Sequence, residues 1–210
     1  MKKTLIISTI LLLAGISLAA NAAVNYTALK QTITVGLDAC ISLINSVESK
    51  IVNNSQVSQE TKQSVSQSLN QLESALSSYK NQVQSAATLQ DLQAINQQII
   101  NYLKTNSSVI KDSIKTAIVD MGEKAVESAE GLKQKAEQAL NVLKVACPSE
   151  KTTISTLENQ LVQLEAEINL LKQALSSKNA ATIKQEMQKI TNLSKSVAVN
   201  LKQLESVCVK

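Results

Sequence analysis

Apolar side chains recur at steps of three and four residues along most of this chain, and few residues interrupt the pattern. Glycine occurs four times and proline once among 210 residues. Steps of three and four place side chains along one stripe of a helix, whereas a β-protein with many turns needs more glycine and proline. The pattern therefore predicts an all-α fold built from amphipathic helices.

The stripe is clearest between Ile154 and Leu175, where isoleucine and leucine follow each other at alternating steps of three and four. This is the spacing that coiled coils use. Other stripes begin at Tyr26 and Val65, and a last one passes through Ile183, Met187 and Ile190. Each of these segments is expected to hide one face against its neighbours.

Residues typical of helix starts separate the stripes. Ser58 and Ser149 precede two of them, and Thr88 with Asp91 and Thr182 with Gln185 have the spacing of a capping box. Such side chains satisfy amide groups that the first helical turn leaves without partners. The predicted helices span residues 26–53, 58–86, 88–146, 149–177 and 180–208.

The segment 88–146 contains no comparable break, only Gly122 and Gly131, each of which costs about 1 kcal/mol in a helix interior. We therefore predict two three-helix up-down-up bundles that share one long central helix, with domains at 23–118 and 119–210. The alternative is a fold-back near Gly122, which gives one elongated antiparallel bundle.

The N-terminus resembles a secretion signal. Lys2 and Lys3 precede an apolar run. Ala20-Asn21-Ala22 then supplies small residues at the two positions that a signal peptidase recognises before the cleaved bond. We predict a signal peptide at 1–22, cleavage before Ala23, and a periplasmic or extracellular product. The rival interpretation is a retained membrane anchor, but a span needs about 20 apolar residues and this run is shorter.

Composition argues against several functions. The chain has no histidine, tryptophan or phenylalanine, and every basic residue is lysine. Histidine is the usual proton shuttle at neutral pH and the commonest metal ligand. Arginine is the side chain best suited to bind phosphate groups and guanine bases. The acids, among them Asp38, Glu165 and Glu167, are expected on solvated helix faces. We predict no catalytic, cofactor or metal site, and no nucleic-acid partner.

Three cysteines remain after cleavage, and export places them where disulfides persist. Successive helices of a bundle run in opposite directions, so helix 149–177 leads away from Cys147 and helix 180–208 leads back. Cys208 then lies at the same end of the bundle as Cys147, and we predict a disulfide between these two. The alternative is two buried reduced thiols. Cys40 lies in the stripe of the first helix and is expected to be a buried free thiol, or else a link to a second chain.

These features favour an exported, soluble helical protein that binds or spaces other proteins without catalysis. Its partner is another protein or a second copy of the chain, since stripes of this kind readily engage further helices. The alternative is a membrane-active or lipid-binding protein, for which the apolar segment Ile33–Val52 is the main support.

Overall fold

A computed structural model of the protein describes residues 25–208. Every regular element in this range is a helix, which confirms the all-α class. The predicted signal peptide at 1–22 lies outside the described residues. The helices are α1 Tyr26–Val52, α2 Gln59–Ser85, α3 Leu89–Ala146, α4 Lys151–Ser177 and α5 Ala180–Cys208.

The helices begin within two residues of the predicted starts, and the capping box at α3 is confirmed. The Asp91 amide donates to Thr88 Oγ1 at 3.1 Å, and the Thr88 amide donates to Asp91 Oδ2 at 3.0 Å. The box predicted at Thr182 and Gln185 is wrong. Asn179 caps α5 instead, because its Oδ1 accepts from the amides of Ala181 and Thr182 at 3.1 and 3.3 Å.

Helix α3 is continuous over 58 residues and has no break at Gly122 or Gly131. The fold-back that we considered at Gly122 is therefore absent from this helix. Gly131 has no atom within 4 Å of the place where a Cβ would lie, whereas a Cβ at Gly122 would lie 2.8 Å from Leu175 Cδ2 and 2.9 Å from Ile183 Cγ2. Gly122 thus lets α4 and α5 side chains approach the backbone of α3.

The described chain divides into two compact units. The first contains α1, α2 and α3 as far as Ile114, and the second contains α3 from Lys115 together with α4 and α5. The short segment Gln56–Ser58, from the turn between α1 and α2, belongs to the second unit.

The core of the first unit consists of the stripes that the sequence predicts. Ile33, Leu37 and Ile44 of α1 are fully buried, and α2 contributes Leu69 and Leu76. Side chains of α1 also satisfy carbonyl groups near the C-terminal end of α2. The Tyr26 hydroxyl donates to the Ala86 carbonyl at 2.5 Å, and Lys30 Nζ donates to the Gln84 carbonyl at 2.7 Å.

One polar residue interrupts the core of the first unit. Asn96 is only 7% exposed, between the buried side chains of Leu92 and Ile99 on the same face of α3. Its Oδ1 is buried and accepts no hydrogen bond within the described chain. Burying such an oxygen costs about 1–3 kcal/mol.

The core of the second unit draws on all three of its helices. The turn between α1 and α2 also contributes to this unit, because Val57 is buried and the Ser58 amide donates to Asp120 Oδ2 at 2.5 Å. One cluster of buried side chains in this unit combines α3, α4 and α5: Ala136, Leu140, Leu143, Ile154, Leu157, Leu161, Val197 and Leu204.

Candidate functional site

The cysteine pair predicted from the sequence is brought together at one end of the second unit. Helix α3 stops at Ala146 because Pro148 cannot continue it, and α5 ends at Cys208. The Cα atoms of Cys147 and Cys208 lie 5.6 Å apart and their Sγ atoms 2.17 Å apart. Disulfides usually have Cα separations of about 4.4–6.8 Å, so the pair lies at disulfide distance.

The surroundings of the pair are apolar on the inner side. Cys208 and Leu201 are partly buried against the cluster that contains Leu143 and Leu204. Beyond Leu204, the residues Glu205, Ser206 and Val207 are exposed, so the last turn of α5 has few inward contacts besides Cys208. A bond between the two sulfur atoms would tie this turn to the end of α3.

Cys40 lies on the buried face of α1, as the stripe predicts, and is 8% exposed. Burial raises the pKa of its thiol, so the sulfur stays protonated at neutral pH. A protonated, buried thiol is a poor nucleophile. The alternative that Cys40 links two chains requires this face of α1 to become accessible.

Charged side chains line the seam between α3 and α4. Lys144 reaches Glu158 at 2.5 Å, Lys172 reaches Glu130 at 2.6 Å, and Lys133 lies between Glu137 and Glu165 at 2.8 and 3.5 Å. The hydrogen bond to Glu137 raises the pKa of Lys133. A surface groove of about 280 Å³ follows the seam, with Ile168 as its buried floor.

A second polar seam joins α4 to α5. Its central residue, Glu186, is not among the residues that the sequence pattern places on an inner face. Glu186 is 7% exposed and accepts from Lys189 Nζ at 3.0 and 3.2 Å. Lys189 also lies 3.5 Å from Glu167 on α4. The hydrogen bonds from Lys189 lower the pKa of Glu186, although burial opposes them.

The stripe predicted for α5 is buried at Ile183, Ile190, Val197 and Leu204, but it is wrong at one position. The prediction places Met187 on the inner face, whereas Met187 is half-buried and Glu186 is the inward residue. The steps from Ile183 to Glu186 and on to Ile190 are three and four, which fit a stripe equally well. Lys189, three residues after Glu186, was the available signal that a buried carboxylate had a partner.

The same two helices share neutral hydrogen bonds nearer the cysteine pair. Gln160 Nε2 donates to Ser196 Oγ at 2.8 Å, and Asn200 Nδ2 donates to Gln160 Oε1 at 3.0 Å. Together with the Glu186 group, these bonds fix the register of α5 on α4.

Four other acids, Asp38, Asp91, Asp120 and Glu165, have structural contacts. Asp38 pairs with Lys80 at 2.6 Å and is half exposed, Asp120 accepts from Ser58, and Asp91 caps α3. Asp112 is exposed. Glu165 belongs to the α3–α4 seam. These contacts hold helices and turns together.

Within residues 25–208, no three histidine, cysteine or acidic residues lie close enough to hold a metal ion. No helix in the described range is both long enough and apolar enough to cross a membrane. Comparison with protein-family models, with curated proteins and with solved structures found no match. Any function proposed for this chain therefore has to come from its own residues.

Proposed function

We propose that the chain is exported, loses residues 1–22, and acts as a soluble helical binding or spacer protein through protein–protein contacts without catalysis. The observation that carries this proposal is the inward orientation of the apolar stripes within each unit. Ile33 and Leu69 in the first unit, and Leu164 and Ile183 in the second, are fully buried. The outer faces that remain are long, polar and helical, and a partner would meet these faces.

Single valines on the outer faces supply apolar contact points. Val145 of α3 is 84% exposed, and Val162 of α4 and Val199 of α5 are also largely exposed. Isolated exposed valines are common and prove nothing by themselves. An approaching partner would nevertheless bury apolar area at these positions, and this makes them suitable places for a probe.

Photo-cross-linking in the cells of origin tests the proposal. A photoreactive amino acid replaces Val145, Val162 or Val199, one position at a time, and the exposed Lys135 serves as the polar control position. After irradiation, adducts are separated by mass and identified. We expect a discrete protein adduct from at least one valine position and a weaker or absent adduct from Lys135.

Two results would contradict the proposal. One is the absence of any protein adduct from Val145, Val162 and Val199. The other is turnover of a substrate by the purified chain that disappears when one acidic side chain is removed, because that would identify an enzyme.

The second candidate function is membrane activity, which α1 favours. Val35 and Val52 are exposed on this helix, which is otherwise rich in buried apolar residues. Flotation with anionic and with zwitterionic vesicles separates the candidates. Recovery of the mature chain with either vesicle type, together with lipid adducts in place of protein adducts, would favour the membrane-active alternative.

A further inference from the structure

The connection between α4 and α5 differs from the other turns of the chain. It consists of Lys178 and Asn179 alone. Lys178 has φ 50° and ψ 33°, and it is the only non-glycine residue with positive φ in the described range 25–208. Because a Cβ crowds the backbone in this left-handed conformation, glycine is the residue that normally occupies such a helix end.

Opening this turn would relieve the conformation of Lys178, and the contacts that α5 makes with α3 and α4 would then have to re-form elsewhere. Lysine is a good helix former, and neither glycine nor proline lies in the connection. A helix that continued through Lys178 and Asn179 would run from Lys151 to Cys208, which is as many residues as α3 already has. The cap that Asn179 gives to α5 would become unnecessary, since its amide partners would bond within the helix.

Two of the other turns contain features that keep them closed. The turn between α1 and α2 is anchored by buried Val57 and by the hydrogen bond from Ser58 to Asp120. The turn between α3 and α4 contains Pro148, which prevents a continuous helix. Short hinges under backbone strain are the places where proteins exchange elements between copies.

We propose that two copies of this chain exchange α5, so that each α5 packs on α3 and α4 of the other copy's second unit. The bonds of Gln160 with Ser196 and Asn200, and of Lys189 with Glu167, would re-form between the copies with the same partners. Because two-fold symmetry relates the copies, each α5 fills the place on α3 and α4 that the other copy's α5 has left, and the assembly is closed at two chains. The inference rests on the proposed protein–protein function and names a second copy as the partner.

The cysteine pair would lock the exchanged state. In the exchanged dimer, Cys208 of each copy lies beside Cys147 of the other copy. Oxidation then forms two disulfides between the copies. Each bond takes two electrons and two protons from two thiols and passes them to one molecule of a disulfide oxidant, which leaves as two thiols. Glutathione disulfide serves as that oxidant in the test.

The test refolds the mature chain as a mixture of isotope-labelled and unlabelled copies in a glutathione buffer, over a range of chain concentrations. Peptide mapping then asks which copies supply the two halves of each Cys147–Cys208 peptide. We expect peptides with one labelled and one unlabelled half, and their share should rise with chain concentration. Peptides uniform in label at every concentration would overturn the proposal.

Two hinge variants separate backbone strain from charge. Lys178→Gly removes the Cβ that opposes the closed turn, whereas Lys178→Ala keeps a Cβ and removes only the charge. We expect Lys178→Gly to weaken dimer formation about fivefold per hinge, roughly 25-fold for the two hinges of a dimer, and Lys178→Ala to behave like the parent. An equal effect of both variants, or of neither, would contradict the assignment of this hinge.

Sedimentation velocity of the same three chains provides a readout that does not need the cysteines. Dimers in the parent and in Lys178→Ala, with monomers in Lys178→Gly, support exchange even where the thiols stay reduced. Monomers of all three chains would overturn exchange. A protein adduct at Val145, Val162 or Val199 would then still indicate a different partner, and the proposed binding function would stand.

Discussion

Gly122 and Gly131 lie in the same helix but have different surroundings, and this makes them a matched pair. A Cβ at Gly131 would meet nothing within 4 Å, so Gly131→Ala should stabilise the protein by about 0.5–1 kcal/mol through helix propensity. A Cβ at Gly122 would press against Leu175 and Ile183, so Gly122→Ala should destabilise it by about 1–3 kcal/mol. Chemical denaturation followed by circular dichroism measures both. Stabilisation by Gly122→Ala would contradict the close approach at Gly122.

Asn96 buries an amide oxygen without a hydrogen-bond donor, and replacing it should raise stability. Asn96→Leu keeps the number and branching of the side-chain heavy atoms and removes the unpaired oxygen, so we expect a gain of about 1–2 kcal/mol. The exposed Gln98 on the same helix provides the control, since Gln98→Leu should change the free energy of unfolding by less than about 0.5 kcal/mol. A loss of stability in Asn96→Leu would mean that the amide has a partner after all.

At the scale of single helices, the start of α3 should show a pH dependence. Hydrogen bonds from the Thr88 side chain and backbone lower the pKa of Asp91, which is ionised when it caps the helix. A lowered pKa in the folded state means that the stabilisation is present above the unfolded pKa of about 4 and is lost as pH falls through the folded value. Asp91→Asn should therefore be less stable than the parent at neutral pH, with the difference closing in acid.

The measurement is the free energy of unfolding from pH 7 down to pH 2. Asp112→Asn removes one charge from an exposed position of the same helix and is the control for net charge. A gap between Asp91→Asn and the parent that stays constant across this range would show that the carboxylate does not act as the cap.

The helices themselves could be predicted because their signals are local. Stripe spacing and helix-start residues are read within a few positions, and so the starts near Gln59, Leu89 and Ala180 follow from the sequence. The roles of Glu186 and Lys178 could not be predicted in this way. Which of two equally spaced residues faces inward depends on the neighbouring helices, and the backbone angle of Lys178 depends on how tightly α5 folds back on α4.

At the scale of the whole molecule, a count of helix directions was enough to bring Cys147 and Cys208 to one end of the second unit. The prediction succeeds because α4 and α5, with 27 and 29 residues, run away from Cys147 and back again over nearly the same length. Asn96 shows the limit of such reasoning. Its spacing from Leu92 and Ile99 fits a stripe, but asparagine is usually exposed, and only the packing of the first unit shows that this one is buried.

Export and stability should be coupled through the cysteine pair. A chain made with residues 1–22 in cells that export it should begin at Ala23 and show one free thiol when denatured without reductant, because Cys147 and Cys208 lie at disulfide distance and Cys40 is buried apart from them. A chain made without these residues in a reducing cytosol should show three. Formed within one chain, the bond would close a loop of sequence separation 61, worth about 4 kcal/mol in the chain-entropy model.

The two chains are compared by thiol counting, N-terminal sequencing and denaturant midpoint, with and without reductant. The exported chain should unfold at higher denaturant, and reductant should remove the advantage. Cys208→Ser should imitate the reduced chain, whereas Cys40→Ala should leave the effect of reductant unchanged because its thiol takes no part in the bond. Three free thiols in the exported chain would contradict the bond. A retained leader with one free thiol would contradict only the cleavage before Ala23, since oxidation needs the compartment and not the removal of residues 1–22.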